Sequence, residues 1–149
     1  MARNKEEMRI YLDNCCYNRP FDEQAHVKVF LETVAKLSIQ QKMREGEVEY
    51  AWSSVLDFEI EKSRFPDRTS RIKPWANGAV VNVMVNDDIR CRAKDFEAAG
   101  LKPADALHVA CAESADCDWF FTTDNGILKK ARPLTSMRIA NPLEFFGGG

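Results

Sequence analysis

The sequence predicts an α/β fold, a three-layer α/β/α sandwich with a parallel central sheet. Short apolar segments alternate along the chain with longer amphipathic ones, which is the pattern of strands joined by helical crossovers. The length of 149 residues suits one domain with a single core. We expect that domain to span residues 1–146, followed by a flexible glycine tail at 147–149.

Composition excludes several classes of protein. No apolar run reaches the roughly 20 residues that a membrane helix needs, and the charged start lacks the apolar stretch of a secretory signal, so we expect a cytoplasmic location. The net charge of −2 does not favour a module that binds nucleic acid by bulk attraction. The five cysteines show no C-x-x-C spacing, which indicates free thiols.

The first segments predict a strand and a long helix. Met8 to Leu12 is predicted as a buried strand that ends at Asp13 and is followed by a loop. Asp22 to Arg44 is predicted as a helix, with Asp22 as its N-cap and Gly46 closing it. Apolar residues at helical spacing define one face of this helix: Val27, Phe30, Leu31, Val34 and Leu37.

The middle of the chain predicts a second strand and a further helix. Val48 to Ser53 alternates as a strand, and Ser54 is placed to cap a helix that runs through Glu59 and Lys62. The segment from Pro66 to Val85 begins like a helix, because Pro suits a first turn, but its valine-rich end is typical of a strand. Both alternatives stay open for this segment.

The last third of the chain predicts two well-marked helices and several short elements. A helix capped by Asp87 or Asp88 ends at Gly100, and the next begins at Pro103. The remaining elements are a strand at Trp119–Phe121, a helix after Asp124, an edge strand at Arg138–Ala140 and a helical turn at Pro142.

Four acidic side chains fall near one edge of the predicted sheet. Asp13 and Asp124 follow strands, Asp105 lies in the first turn of a helix, and Glu59 lies on the helix after the second strand. Parallel sheets bind ligands at the carboxyl ends of their strands, so these acids could meet at one rim. Each acid alone also has an ordinary interpretation, because Asp is a common helix cap and Glu59 could pair with Lys62. Asp13 fits that interpretation least, since no helix start follows it in the pattern.

A cluster of these acids would have a definite chemistry. Carboxylates that lie together raise each other's pKa unless cations lie among them. Oxygen ligands without cysteine or histidine select Mg²⁺ or Mn²⁺. Such ions lower the pKa of a bound water and stabilise the leaving oxygen of a phosphodiester. The cluster therefore predicts a phosphate-cleaving site.

Four segments resemble, in order, the motifs of the PIN-domain family. Ile10–Asp13 resembles the family's first strand with its aspartate, and Ser54–Glu59 resembles the second motif. Gly100–Ala110 closely resembles the third motif and Phe121–Asp124 the fourth. The resemblance covers nearly the whole chain.

The resemblance implies cleavage of single-stranded RNA with Mg²⁺ or Mn²⁺ as cofactor. It also implies a homodimer, and an antitoxin as partner if the chain is the toxin of a toxin–antitoxin pair of the VapC type. The catalytic and metal-binding residues that it implies are Asp13, Glu59, Asp105 and Asp124. The substrate-binding residues that we expect are Asn14, Arg19 and Thr122.

Some residues leave alternatives open. Relatives often carry Thr or Ser after the first aspartate and then Asn, whereas Asn14 and Cys15 stand here. Glu61 competes with Glu59 for the inward position, and we favour Glu59. His108, one turn after Asp105, is placed as a general base or, as we favour, as an ordinary packing residue.

Two other functions compete with the ribonuclease hypothesis. A non-catalytic module of the same fold would bind RNA or protein without cleaving it. A nucleotide-binding or phosphatase-like protein is less favoured, because the chain lacks G-x-G-x-x-G and the G-x-x-x-x-G-K-[ST] loop.

Overall fold

The computed structural model describes residues 7–18, 20, 22, 24 and 26–146. Arg19 and the glycine tail at 147–149, both named in the predictions above, lie outside the described residues. The described chain forms a central parallel sheet with helices packed around it, which confirms the predicted three-layer α/β/α class. No helix in this part of the chain is long and apolar enough to cross a membrane.

Within the described residues the sheet has five short strands, and all four neighbouring pairs are parallel. The strands are β1 (Arg9–Leu12), β2 (Glu49–Ser53), β3 (Val81–Val83), β4 (Trp119–Phe121) and β5 (Arg138–Ala140). They lie in the order β3-β2-β1-β4-β5, so the chain adds strands to one side of β1 and then to the other. This change of direction between β1 and β4 opens a crevice at the carboxyl ends of the two strands, where ligands of such sheets bind.

In the part of the chain that the structure describes, seven α-helices and several short 3₁₀ segments join the strands. The helices are α1 (Asn14–Asn18), α2 (Val27–Arg44), α3 (Ser54–Glu61), α4 (Pro66–Ile72), α5 (Asp87–Ala98), α6 (Pro103–Ser114) and α7 (Asn125–Ala131). The 3₁₀ segments lie at Lys73–Gly78, Arg132–Leu134 and Pro142–Phe145. The segment from Pro66 to Val85, for which the sequence allows both helix and strand, contains both: it begins as α4, continues as a 3₁₀ segment and ends with β3.

The choice of helix cap accounts for most of the differences between the predicted and the observed ends of the elements. Ser53 rather than Ser54 caps α3, with its hydroxyl accepting the Leu56 N–H at 3.2 Å. Asn86 rather than Asp87 or Asp88 caps α5. In both places neighbouring residues are equally good caps, and only the three-dimensional path decides between them.

Two predictions for the first segments are wrong. The loop predicted after Asp13 begins instead with α1, a single turn in which the Asn18 side-chain amide donates to the Asn14 carbonyl at 3.0 Å. Helix α2 begins at Val27 with His26 in the N-cap position, and Asp22, the predicted cap, bonds Arg68 instead. Short polar side chains of this kind bond nearby backbone in several conformations, so their presence does not fix where a helix starts.

The apolar face of α2 points outward rather than into the core. The five residues of this face are all exposed, from 46% for Leu31 to 71% for Val27. The inner face buries Ala35, Ile39 and Met43 together with several polar side chains. Glu32 accepts a hydrogen bond from the Asn141 amide at 2.5 Å, and the Lys36 ammonium lies 5.8 Å from the Tyr17 ring centre. Burial lowers the pKa of Lys36 to about 8.

Candidate active site

Asp13 stands at the end of β1 and is fixed from several sides. Its backbone N–H donates to the Phe121 carbonyl at 2.9 Å, which ties it to the neighbouring strand β4. One carboxylate oxygen accepts the Asn14 N–H at 2.7 Å. The other accepts the Thr122 hydroxyl at 2.9 Å and the Cys15 thiol at 3.2 Å. With only 5% of the residue exposed, the carboxylate has a single well-determined orientation.

Thr122 and Asp124 come from the end of β4, on the other side of the crevice. The buried Thr122 hydroxyl donates to Asp13 and accepts the Asp124 N–H at 3.1 Å. Asp124 also caps α7, because one of its oxygens accepts the Gly126 N–H at 2.7 Å. The ordinary interpretation of Asp124 as a helix cap is thus correct. Within the described residues, its capping hydrogen bonds use one carboxylate oxygen and leave the other without a hydrogen bond.

Glu59 rather than Glu61 faces this crevice. Glu59 lies on the inner side of α3, with its carboxylate oxygen 2.5 Å from the His108 Nε2 atom. Glu61 lies two residues further on, about 200° around the helix. Its side chain is 64% exposed and is 3.7 Å from the Lys73 ammonium.

Three donor atoms lie close enough together to share one ion. A carboxylate oxygen of Asp13, a carboxylate oxygen of Glu59 and a ring nitrogen of His108 all lie within 4.8 Å of one another. Burial alone would lower the pKa of His108, but its hydrogen bond with Glu59 and the charge of Asp13 raise it above the usual value.

Asp105 lies in the first turn of α6 and completes the acidic cluster. Partial burial and the nearby charges of Asp13 and Asp124 raise the pKa of its carboxyl group to about 6. Glu59 contributes in the same direction. The other three acids therefore disfavour the charged form of Asp105, and a divalent cation would relieve this repulsion.

A groove opens beside the acids, between α3 and α6. Its cavity of about 450 Å³ is lined by Asn14, Glu59 and mainly apolar side chains, among them Phe58 and Leu107. Phe58 is 58% exposed, and the Lys62 ammonium lies 4.3 Å from the centre of its ring. An exposed ring beside a cation offers both stacking and phosphate contact to a single-stranded nucleic acid.

The sequence did not assign Cys15 to the site, nor the partners of His108. The Cys15 sulfur contacts Asp13, lies 3.4 Å from the Thr122 hydroxyl, and accepts the Thr123 N–H at 3.3 Å. The only signal for Cys15 was its place two residues after Asp13. No periodicity marks buried polar residues on different segments as neighbours.

The fold and the site together define a class of protein: a parallel α/β domain with carboxylates at the point where its strand order reverses. Such carboxylates can bind a divalent cation, here beside a groove. The family model described as PIN domain matches residues 10–133, and the chain belongs to the PIN-domain family. PIN domains are generally nucleases. A search of curated proteins found no match.

Two solved structures share the fold. The crystal structure of FitAcB from Neisseria gonorrhoeae has a TM-score of 0.58 and 14% identity, covering 89% of this chain and 97% of that one. The structure of VapBC2 from Rickettsia felis, bound to a DNA fragment from their promoter, has a TM-score of 0.56 and 11% identity, covering 90% and 98%. At these identities the likeness concerns the fold.

Proposed function

We propose that this chain is a metal-dependent endoribonuclease that hydrolyses phosphodiester bonds of single-stranded RNA. The observation that carries the proposal is the meeting of Asp13 and Glu59, with Asp105 and Asp124 near them, at the carboxyl ends of β1 and β4. A domain without a cation to bind would gain nothing from this repulsion.

The residues fit Mg²⁺ or Mn²⁺ by the chemistry of their donor atoms. Asp13, Glu59, Asp105 and Asp124 supply oxygen ligands, which are the ligands that these hard cations prefer. We assign these four acids as the metal-binding and catalytic residues. When bound, the ion lowers the pKa of a water molecule and stabilises the leaving oxygen of a phosphodiester.

The other residues orient the acids and the substrate. The Thr122 hydroxyl holds one oxygen of Asp13 and the Asn14 N–H holds the other, so the carboxylate needs little rearrangement to accept an ion. The groove beside Glu59 would hold the RNA, with Phe58 stacking a base and Lys62 meeting a phosphate. Asn14, Thr122 and Arg19 remain our proposed substrate-binding residues.

The biological setting that we propose is a toxin–antitoxin pair in the cytoplasm, with this chain as the toxin. The proposal is supported by the ordered motifs that resemble VapC-type toxins and by the shared fold with VapBC2. An antitoxin protein and a second copy of the chain are the partners that follow from this setting.

The test is cleavage of a labelled pool of single-stranded RNA by the purified protein in Mn²⁺ or Mg²⁺ and in EDTA. We expect metal-dependent cuts that disappear in Asp13→Asn, because one metal-binding oxygen is replaced by an amide. Asp87→Asn is the matched control, since the Asp87 side chain is fully exposed at the start of α5. No cuts and no metal binding in the parent protein would favour the non-catalytic binding module.

A further inference from the structure

A chain of buried hydrogen bonds leads from β2 through β1 and α6 to the acidic site. The Ser53 hydroxyl accepts the Leu56 N–H and lies 2.6 Å from the Tyr11 hydroxyl. The Tyr11 hydroxyl in turn lies 2.7 Å from the Nδ1 atom of His108. All of Ser53, Tyr11 and His108 is inaccessible to solvent, so these groups must satisfy one another.

The order of donors along this series of hydrogen bonds follows from its Glu59 end, because a carboxylate can only accept. With the neutral imidazole donating to Glu59, Nδ1 of His108 accepts from the Tyr11 O–H, and the Tyr11 oxygen accepts from the Ser53 O–H. A neutral imidazole that accepts at Nδ1 carries its proton at Nε2. That N–H points at the Glu59 carboxylate, with 2.5 Å between Nε2 and the carboxylate oxygen.

The surroundings of the imidazole hold it in place. Its ring packs edge-on against Tyr11, with 5.7 Å between ring centres, and the Tyr11 ring stacks on Phe120 in β4. Glu59, by contrast, keeps about a quarter of its side chain exposed on the groove. The bond to His108 is therefore the contact that fixes a flexible carboxylate at the edge of a rigid core.

We propose that His108 is a positioning residue of the acidic site, whose Nε2–H, oriented by Tyr11 and Ser53, holds the Glu59 carboxylate beside Asp13. The proposal rests on the proposed function, because it assumes that Glu59 binds a divalent cation. Hydrogen-bond partners of metal-binding carboxylates of this kind typically change metal affinity by about 10-fold to 100-fold when they are removed. His108 itself keeps its proton and does not bind the ion.

The first experiment measures the affinity of the purified protein for Mn²⁺ by titration calorimetry. His108→Leu keeps the side-chain size and removes the donor, so we expect affinity to fall about 10-fold or more. His108→Gln retains an N–H that can reach Glu59, and we expect affinity within about threefold of the parent. Tyr11→Phe removes the donor to Nδ1 and keeps the stacked ring, so its Mn²⁺ affinity should lie between those of the two His108 variants. His26→Gln is the matched control on the exposed second histidine.

A second measurement separates positioning from metal ligation. Nitrogen-15 spectra of the histidines are simple, because the chain has only two. We expect the His108 Nε2–H signal in the metal-free protein, its continued presence when Mg²⁺ saturates the site, and its change in Glu59→Gln. This readout does not depend on whether His108→Leu folds.

The outcomes distinguish the two proposals. If the parent binds Mn²⁺ and His108→Leu binds it equally well, the positioning role is refuted while the nuclease proposal stands. Loss of the Nε2–H signal on addition of Mg²⁺ would make His108 a ligand and refute positioning. If the parent protein binds neither Mn²⁺ nor Mg²⁺, both proposals fail.

Discussion

The acidic rim and the outer face of α2 both depart from the usual distribution of residue types, in opposite directions. The rim holds four acids close together, with Asp13 only 5% exposed, whereas the outer face of α2 leaves large apolar side chains such as Phe30 about half exposed. Proteins depart from the usual distribution of residue types most often where function requires it. At the rim, hydrogen bonds from several segments fix Asp13, Glu59 and Asp124 in place, which is the preorganisation that an ion-binding site needs.

The outer face of α2 lacks such preparation. Its apolar residues share one stripe of one helix, and they touch the rest of the described chain only partly. Contiguous apolar surface of this kind is typical of sites of interaction, but nothing in the arrangement resembles a reaction centre. Unfavourable placement of side chains alone therefore does not identify a reaction centre, whereas the convergence of oriented groups from distant segments does.

The largest expected effect tests which acid of α3 belongs to the rim. Glu59→Gln should lower the single-turnover rate of RNA cleavage by on the order of 10²–10³-fold, about 3–4 kcal/mol in activation free energy. Glu61→Gln removes the same charge two residues away and should leave the rate within about twofold. A comparable loss in both variants would contradict the inward orientation of Glu59 alone.

The next effect tests the orientation of α2 with two neighbouring residues. Ile39 is fully buried, and Ile39→Ala should lower the free energy of unfolding by roughly 3 kcal/mol. Leu37 is 47% exposed, and Leu37→Ala should cost no more than about 0.5 kcal/mol. Urea unfolding measures both losses, and the reverse order would show that the apolar face of α2 packs against the core.

A smaller effect tests the repulsion at the rim in metal-free protein. The pKa of Asp105 is raised to about 6 by burial and by Asp13 and Asp124, above the value of about 3.9 for an unfolded chain. Between these values the folded state binds more protons than the unfolded state, so this group makes stability fall as pH rises from about 4 to 6. Because Asp105 is only half-buried, solvent screening limits the loss to about 1 kcal/mol.

The matching measurement is thermal or urea unfolding in EDTA. Asp105→Asn should be more stable than the parent protein by about 1 kcal/mol at pH 7 and equally stable at pH 4. Adding Mn²⁺ at pH 7 should make the parent protein more stable than Asp105→Asn, because only the parent keeps all four acids to bind the ion. A variant that is less stable at pH 7 without metal would show that the rim is not a repulsive cluster.

Much of the fold could be predicted because local signals agreed with it. Trp119–Phe121 and Arg138–Ala140 are strands at the predicted residues, and Pro103 opens α6 as expected. Gly100 ends the preceding helix with φ of 111°, a conformation that glycine adopts without strain. These features depend on a few neighbouring residues, which is the range over which sequence patterns are informative.

The rest depends on contacts that no local pattern contains. Periodicity shows that Val27 and Leu37 share one face of α2, but it cannot show whether that face meets the core or the solvent. On the inner face of α2, the buried Glu32 meets Asn141, a residue from the far end of the chain. The strand ends and the motifs predict the four acids, whereas the hydrogen bonds from Ser53 through Tyr11 to His108 join three segments and have no local signal in the sequence.

The most direct test of the central claim is calorimetric titration of the purified protein with Mn²⁺, because it needs no knowledge of the RNA target. The rim described above predicts saturable binding to the parent protein, no measurable binding to Asp13→Asn, and binding to Asp87→Asn with the affinity of the parent. Absence of saturable binding to the parent protein, or equal binding to Asp13→Asn, would contradict the assignment of these acids to a metal site.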